Sequence, residues 1–322
     1  MRQFAKPTIV VSKCLEFDAC RYNGEMIPDV TIRNLQPFVT FIPVCPEVEI
    51  GLGTPRETIR IVEENGENRL VQPSTREDVT EKMEQFSNDF LQTISDVDGF
   101  ILKNRSPSCG TRDVKIYSGF EKAPAKGKGS GLFGGAVVKK FSHLPIEEEG
   151  RLSNFIIREH FFTRLFTIAY YNMIKHNKNM KDLVSFQSDN KYLFMAYNQV
   201  KQKELGRIIA NHKNEKIEVV FENYEKTLYE LFMRTPRYTS NVNVCEHIFG
   251  YFKTKLKKQE KDHFIELLQK YAEKKIPLSS LLTILKSWAI RFDEKYLLRQ
   301  TYFEPYPEAL VEISDSGKGR DY

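Results

Sequence analysis

Three of the five cysteines, Cys14, Cys45 and Cys109, are far apart in the chain, and each stands in a turn after a short apolar run. Thiolates are soft ligands for iron–sulfur clusters and zinc. Three of them without a fourth are the donor set expected for a cluster or metal that keeps one position open for a substrate. Their spacing forms no zinc-finger pair, and cysteines in a reducing compartment do not build a disulfide framework. Metal, cluster or catalytic use is therefore the favoured interpretation.

The apolar runs before these cysteines have the composition of buried strands. They cover residues 9–11, 39–44 and 99–102. In an α/β protein such runs pair as parallel strands, and ligands bind just beyond their carboxyl ends. The sequence therefore predicts an open parallel, Rossmann-like sheet with the three thiols in one crevice.

Between the cysteines, local signals predict the connecting elements. Asn65-Gly66 predicts a hairpin, and Ser74-Thr75-Arg76-Glu77 resembles a capping box that opens a helix running to Ile94. Residues 113–117 can add a strand. The segment 123–135 is rich in Lys, Gly and Pro and predicts a mobile loop or lid, although Gly129–Gly134 formally matches a dinucleotide fingerprint.

A break in composition at residues 145–150 predicts the domain boundary. From residue 154 onward, apolar residues recur at helical spacing. We therefore expect an α/β domain over 1–147 and an all-α domain over 148–322, with a disordered polar tail over 314–322.

Composition limits the functional class. The 322 residues are 41% hydrophobic and 28% charged, which is typical of a two-domain soluble protein. No apolar run approaches the length of a membrane span, and Met1–Pro7 has no secretory character. The sequence predicts a cytoplasmic protein.

The net charge of +5 is unevenly distributed. Residues 1–150 carry 19 Lys and Arg against 22 Asp and Glu, a net −3, and residues 151–322 carry 29 against 21, a net +8. A basic second half suggests an anionic partner such as nucleic acid, while a solvated lysine-rich surface explains the same charge. Candidate contributors are Lys201, Lys203, Arg207, Arg234, Arg237, Lys253, Lys255, Lys257, Lys258 and Lys261.

Three motifs in order along the first 145 residues resemble one known family. They are Ser12-Lys13-Cys14-Leu15 with Arg21-Tyr22-Asn23-Gly24, Pro43-Val44-Cys45-Pro46-Glu47 with Gly51-Leu52-Gly53-Thr54-Pro55-Arg56, and Lys103 with Ser106-Pro107-Ser108-Cys109-Gly110. This set is similar to the thiouracil desulfidase family (TudS). Stretches of the second half, such as residues 191–197, 205–207 and 300–307, are similar to YbgA-like domains. Together the halves resemble the fused desulfidases (RudS) that act on 4-thiouridine in tRNA.

The resemblance implies a [4Fe-4S] cluster held by Cys14, Cys45 and Cys109, with one open iron. It implies that C=S is hydrolysed to C=O without net redox change, and that tRNA is the partner of the helical half. Glu47, two residues after Cys45, would take the proton from the attacking water. As an alternative, Glu47 is a first-turn acid that balances a helix dipole.

Other residues of the matching motifs have two interpretations each. Ser106 and Ser108 would hydrogen-bond the substrate or the released sulfide, or merely cap their turn. Arg56 would bind a phosphate or a base oxygen, or form a structural ion pair. Lys103 would contact substrate, and together with Lys13, Arg21 and Arg105 it would make the surroundings of the thiolates positive.

Cys20 is either a fourth ligand or an idle buried thiol. The family usually has a glycine two or three residues after the first cysteine, where this chain has Glu16 and Phe17.

Alternative functions fit the same sequence. One is a desulfidase for the free thiobase or nucleoside only. Others are a nucleic-acid-binding sensor with a regulatory cluster and a zinc-stabilised binding module.

Overall fold

A computed structural model describes residues 2–120 and 123–312, so the tail predicted at 314–322 lies outside the described residues. The described chain forms two compact units, residues 2–170 with 309–312, and Tyr171–Glu308. Nine strands occur in the described part: β1 (Thr8–Ser12), β2 (Thr40–Val44), β3 (Arg60–Glu64), β4 (Glu67–Gln72), β5 (Glu77–Asp78), β6 (Gly99–Leu102), β7 (Val114–Tyr117), β8 (Ala125–Gly129) and β9 (Ile146–Glu148). The predicted boundary after residue 147 falls within β9 and stays a prediction.

The first sheet has the order β2-β1-β6-β9, and its strand pairs are all parallel. Ile9–Val11 and Phe100–Leu102 are fully buried, as expected for a parallel sheet covered on both faces. The predicted α/β parallel sheet is confirmed. The break in composition at 145–150 contains its fourth strand, which the sequence did not reveal.

The second sheet has the order β5-β4-β3-β7-β8, with β3 and β7 parallel and the other pairs antiparallel. Asn65 and Gly66 have φ values of 53° and 84°, the left-handed conformation required by the tightest hairpin turns. The predicted hairpin is therefore confirmed, as is the strand predicted at 113–117.

The first unit contains α1 (Val30–Leu35), α2 (Pro46–Glu49), α3 (Thr80–Thr93), α4 (Leu132–Phe141), α5 (Glu149–Leu152) and the first part of α6 (Phe155–Asn177). The capping box predicted over 74–77 is wrong. Glu77 belongs to β5, and α3 begins at Thr80, whose N–H donates to Asp78 Oδ1 at 2.8 Å. The edge strand β5 pairs with β4 and so separates the Ser-Thr pair from the helix.

The mobile loop predicted over 123–135 is also wrong for the described residues, because the segment forms β8 and the start of α4. The glycines allow two backbones to approach closely. The N–H groups of Gly131 and Gly134 donate to the carbonyls of Gly110 (2.7 Å) and Ser108 (2.9 Å). A Cβ on Gly131 would lie 2.5 Å from the Ser108 carbonyl oxygen. The glycine-rich segment therefore seats α4 against the turn that contains Cys109.

The helical half predicted from the sequence is confirmed in the described residues. After α6 it contains α7 (Met180–Asp189), α8 (Lys191–Tyr197), α9 (Gln199–Ala210), α10 (Ile217–Leu231), α11 (Tyr238–Gly250), α12 (Lys258–Ala272), α13 (Leu278–Arg291) and α14 (Lys295–Leu298), with short 3-10 turns at His212–Asn214, Thr301–Phe303 and Glu308–Leu310. The predicted apolar stripes form its core, as Tyr224, Phe264 and Leu285 show by their complete burial.

Within residues 2–120 and 123–312, no helix is both long enough and apolar enough to cross a bilayer.

We predict that Gly134→Ala destabilises the first unit by about 1–3 kcal/mol, because its Cβ meets the carbonyls of Cys109 and Gly110. Amide exchange at residues 108–110 should accelerate. The matched control is Gly206→Ala in α9, where nothing lies near the added Cβ. Unfolding followed by Trp288 fluorescence should show a gain of about 0.5–1 kcal/mol for this control. Unchanged exchange at 108–110 in Gly134→Ala would contradict the predicted seating role of α4.

Candidate functional site

The three predicted cysteines follow the carboxyl ends of neighbouring strands. Cys14 lies just after β1, Cys45 is the N-cap of α2 directly after β2, and Cys109 follows β6. Cys14 and Cys45 both contribute, after burial, to raising the pKa of Cys109 well above its ordinary value. All three are free thiols. The fold therefore brings the thiols into electrostatic contact, as the strand-end positions predict.

Burial and the neighbouring Cys45 raise the pKa of Cys14 to about 12, against the opposing field of the Lys103 ammonium. The Cys14 and Cys109 thiols are therefore neutral near pH 7, and a metal centre would have to displace their protons. In the part of the chain that the structure describes, no group of three or more His, Cys, Asp or Glu side chains is arranged to hold a metal ion. A cluster distributes its ligands over several iron atoms, so its ligands need not converge as closely as those of one ion. As donors, the three cysteine thiols therefore fit an iron–sulfur cluster better than a zinc ion.

Cys20 joins this group of thiols. It is buried, its carbonyl accepts a hydrogen bond from Cys45 Sγ at 3.8 Å, and burial together with Cys45 raises its pKa to about 12. Cys245 instead lies in the second unit, buried 3.9 Å from the Tyr302 hydroxyl. Whether Cys20 is a ligand stays an open hypothesis.

Glu16 occupies the position near the first cysteine where the family usually has glycine. Its φ of 69° is left-handed, a conformation that glycine adopts freely and that costs other residues about 1–2 kcal/mol. Its carboxylate accepts hydrogen bonds from the Asp29 N–H and, at 2.8 Å, from Arg33. These contacts explain how the loop keeps a glycine-like backbone without glycine.

Glu47 is oriented through both of its carboxylate oxygens. Oε1 accepts a hydrogen bond from the Ser108 hydroxyl, and Oε2 accepts Nε (2.8 Å) and Nη2 (2.5 Å) of Arg56. The side chains of Glu47 and Arg56 are only 13% and 4% exposed. Glu47 thus links the end of β2 to the turn that contains Cys109. An acid that only balanced the helix dipole would not need these hydrogen bonds.

Arg56 makes further contacts with protein oxygens. Its Nη1 donates to the carbonyls of Cys20 (3.0 Å) and Gly53 (2.8 Å). These are the contacts of the structural ion pair considered from the sequence, and they hold the loops around Glu47 together. A substrate contact by Arg56 stays a prediction.

The two serines form a hydroxyl chain that ends at Glu47. Ser106 Oγ lies 3.0 Å from Ser108 Oγ and also accepts the N–H of Cys109 at 3.1 Å. Ser108 is fully buried, whereas Ser106 is half-buried. Ser106 therefore caps the turn, as the structural interpretation predicts, and also forms the more accessible end of a chain of hydrogen bonds.

Two carboxylates at the end of β9 hold both ends of this turn. Glu149 accepts hydrogen bonds from the Lys103 ammonium and, at 2.7 Å, from the Asn104 N–H. Glu148, only 3% exposed, accepts the N–H (2.7 Å) and the hydroxyl (3.0 Å) of Thr111. Sequence reasoning missed both residues because the acidic run was interpreted as the domain boundary. The signal was available, since the run directly follows the apolar residues Leu144 and Ile146.

Three of the four cations expected near the thiols are themselves paired. Lys13 lies 2.9 Å from Asp18, Arg21 lies 3.6 Å from Glu25, and Lys103 contacts Glu149. Lys103 nevertheless lowers the pKa of Cys14, and so it stabilises a thiolate there. A direct contact between Lys103 and substrate stays a prediction.

Comparison with known proteins assigns families to both halves. The family profile described as 2-thiouracil desulfurase matches residues 9–149, and the profile of a protein family of unknown function, DUF1722, matches residues 191–307. The uncharacterized protein YbbK of Bacillus subtilis (strain 168) is 36% identical over 118 residues, which cover 34% of this chain and 77% of YbbK.

The uncharacterized protein YbgA of Escherichia coli (strain K12) is 24% identical over 156 residues, covering 48% of this chain and 92% of YbgA. A solved structure described as the [4Fe-4S]-dependent thiouracil desulfidase TudS is 25% identical, with a TM-score of 0.37, and covers 46% of this chain and 93% of its own.

We predict that Glu148→Gln loosens the turn over residues 104–111, because an amide accepts the Thr111 bonds without the charge that strengthens them. The loss should be about 1–3 kcal/mol and should appear as faster amide exchange at Thr111 and Arg112. The control is Glu147→Gln, the neighbouring acid, which pairs with Arg151 at 2.7 Å. Equal exchange in the two variants would contradict a special role for Glu148.

Proposed function

The chain belongs to the 2-thiouracil desulfurase family, and we propose that it is a hydrolytic desulfidase whose substrate is thiolated uracil, most specifically 4-thiouridine in tRNA. The observation that carries this proposal is the hydrogen-bonded chain Glu47–Ser108–Ser106 in the turn of Cys109. A thiolated uracil and water give uracil and hydrogen sulfide. No electrons are gained or lost, so the protein has to position water, move protons and bind the sulfur.

Cys14, Cys45 and Cys109 are proposed as the ligands of a [4Fe-4S] cluster. When bound, such a cluster with one open iron would supply a soft Lewis acid that binds thiocarbonyl sulfur and makes the carbon electrophilic. The chain contributes the buried setting of Cys45 and Cys109 and the nearby ammonium of Lys103, which lowers the pKa of Cys14 and so favours its ionised form.

Glu47 is proposed as the general base. Its two oxygens are oriented by Arg56 and Ser108, so a proton that arrives through the serine hydroxyl is received at a fixed atom, Oε1. Ser106, the half-buried end of the chain, is proposed to hydrogen-bond the substrate or the released sulfide. Arg56 is a positioning residue in this mechanism, because its ion pair holds the carboxylate in line with Ser108.

The tRNA assignment rests on the DUF1722 half and its charge. Residues 151–322 carry a net +8, from 29 Lys and Arg against 21 Asp and Glu. Some candidate contributors are neutralised, since Lys201 pairs with Glu230 (2.5 Å) and Lys255 with Glu294 (2.5 Å). Lys203, Arg207 and Lys258 are exposed and better placed to contact phosphates. Action on tRNA accords with the cytoplasmic location predicted from the sequence.

The proposal is tested by incubating the anaerobically purified full-length protein with 4-thiouridine-containing tRNA, with the free nucleoside or with free thiouracil. Nucleoside analysis and sulfide release measure the reaction. We expect the highest kcat/KM on tRNA. Glu47→Gln should lower turnover by roughly 10²-fold or more with cluster content unchanged, since the amide cannot accept a proton. Glu49→Gln, an exposed acid of the same helix, is the matched control. Turnover of the free base alone would reject tRNA as substrate, and near-normal turnover of Glu47→Gln would reject the base assignment.

A cysteine series tests the ligand set. Alanine at position 14, 45 or 109 should abolish or strongly reduce iron and sulfide content and the visible absorbance. Cys245→Ala, in the second unit, should retain both, and so should Cys20→Ala. Full cluster occupancy in any of the first three variants, or cluster loss in either of the last two, would contradict the assignment. Bound zinc without iron in the unmodified protein would reject the cluster altogether.

A further inference from the structure

A cleft of about 430 Å³ lies in the first unit beside the turn of the candidate site. Four of its lining side chains are cationic, Arg60, Arg105, Lys115 and Lys128, and one is acidic, Asp113. The other lining residues are uncharged, so the cleft carries a net +3. This charge contrasts with residues 1–150 as a whole, whose net charge is −3.

Three of these cations lie side by side across adjacent strands. Lys115 of β7 pairs with Lys128 of β8. Ile61 of β3 pairs with Ile116 of β7, so Arg60, one residue earlier, lies next to Lys115. Strands in a sheet are about 4.8 Å apart, so the row spans roughly 10 Å.

Lys115 and Lys128 lie directly opposite each other in this row. Like charges directly opposite each other on neighbouring strands destabilise a sheet. Asp113 lies 3.1 Å from Lys128, but the side chains of both are more than half exposed, so this pair offsets little of the repulsion between the two lysines. An anion that contacts both lysines would offset that repulsion.

An aromatic side chain completes the cleft. The Arg60 guanidinium lies 4.8 Å from the centre of the Tyr117 ring. Aromatic rings and guanidinium planes are the surfaces on which unpaired bases stack in complexes with single-stranded RNA. Phosphate-binding cations and a stacking surface therefore occur in the same cleft.

The cleft and the candidate site share one stretch of the chain. Arg105 and Pro107 line the cleft, and Ser106 between them belongs to the hydroxyl chain that leads to Glu47. Consecutive Cα atoms are about 3.8 Å apart, so a residue that lines the cleft directly adjoins the residue that begins the hydroxyl chain. Arg105 and Asp113 have φ values of 55° and 59°, and strained residues of this kind are found at ligand-binding positions.

We propose that this cleft binds the phosphodiester backbone of a single-stranded RNA segment next to the nucleotide whose base enters the candidate site. The assignment of that base rests on the proposed function, whereas binding of the backbone does not. The first unit would then contribute to RNA recognition together with the basic helical half, and would favour thiolated nucleotides within a strand over free bases.

The test measures binding of the full-length protein to a fluorescein-labelled uridine trinucleotide without sulfur, by anisotropy over a range of salt concentrations. The double variant Lys115→Gln/Lys128→Gln keeps a polar side chain at both positions and removes two charges. We expect roughly tenfold weaker binding at low salt. The slope of log K against log salt should become shallower by roughly 1.4, about 0.7 for each lost phosphate contact. The control Lys82→Gln/Lys139→Gln removes two exposed lysines outside the cleft and should leave both values unchanged.

A variant that should strengthen binding, rather than weaken it, completes the test. Asp113→Asn removes the acid, and asparagine tolerates the left-handed backbone at this position. It should strengthen trinucleotide binding by roughly two- to threefold. Equal affinities of the cleft and control variants would overturn the proposal, as would weaker binding by Asp113→Asn.

Competition separates an RNA segment from simpler anions. Unlabelled trinucleotide should displace the probe at concentrations at least tenfold lower than uridine monophosphate or inorganic phosphate. Equal displacement by inorganic phosphate would overturn the proposal. Because the probe contains no sulfur, binding without desulfidase activity would reject the proposed function while leaving the cleft assignment intact.

Discussion

The attachment of the Cys109 turn to the end of β9 is the interaction on which the geometry of the site depends. A turn of this length, rich in Ser and Pro, has few apolar contacts of its own, so buried polar bonds have to hold it. Glu149 fixes its start at Asn104, and Glu148 fixes its end at Thr111. The amino end of α4 binds the carbonyls between these points. A turn held at both ends and along its backbone can present Ser106, Ser108 and Cys109 in one arrangement.

Glu47 shows why that rigidity matters for chemistry. Its carboxylate is almost buried, and burying a charge is costly unless it is paired. Arg56 provides the charge, and the Ser108 hydroxyl saturates the other oxygen. Because the turn fixes Ser108, the carboxylate receives the serine hydrogen bond at Oε1, while Arg56 occupies Oε2. The same contacts that make burial of Glu47 tolerable therefore determine the atom at which a proton would arrive.

The sequence was sufficient to predict the structural features that neighbouring residues determine. The apolar runs before Cys14, Cys45 and Cys109 predicted three strands of the parallel sheet, and Asn65-Gly66 predicted the β3–β4 hairpin of the second sheet. It failed where partners distant in sequence decide the structure. Gly131 and Gly134 suggested a loop, yet they are glycines because a backbone more than 20 residues earlier approaches them. Likewise, the run that contains Glu148 suggested a domain boundary, because its partner Thr111 is 37 residues away.

The net charge of a long segment likewise does not describe the charge at each place on its surface. The first 150 residues have a net charge of −3, which directed attention to the basic helical half as the part that meets an anion. Many of those acids are used internally, as the pairs of Glu47 with Arg56 and Glu149 with Lys103 show. Such acids neutralise buried cations and contribute little to the field outside. The cations that remain exposed on β7 and β8 can therefore form a positive surface on a unit that is acidic by composition. A polyanion interacts with this local arrangement of charges, because screening at physiological salt limits electrostatic interactions to about 8 Å.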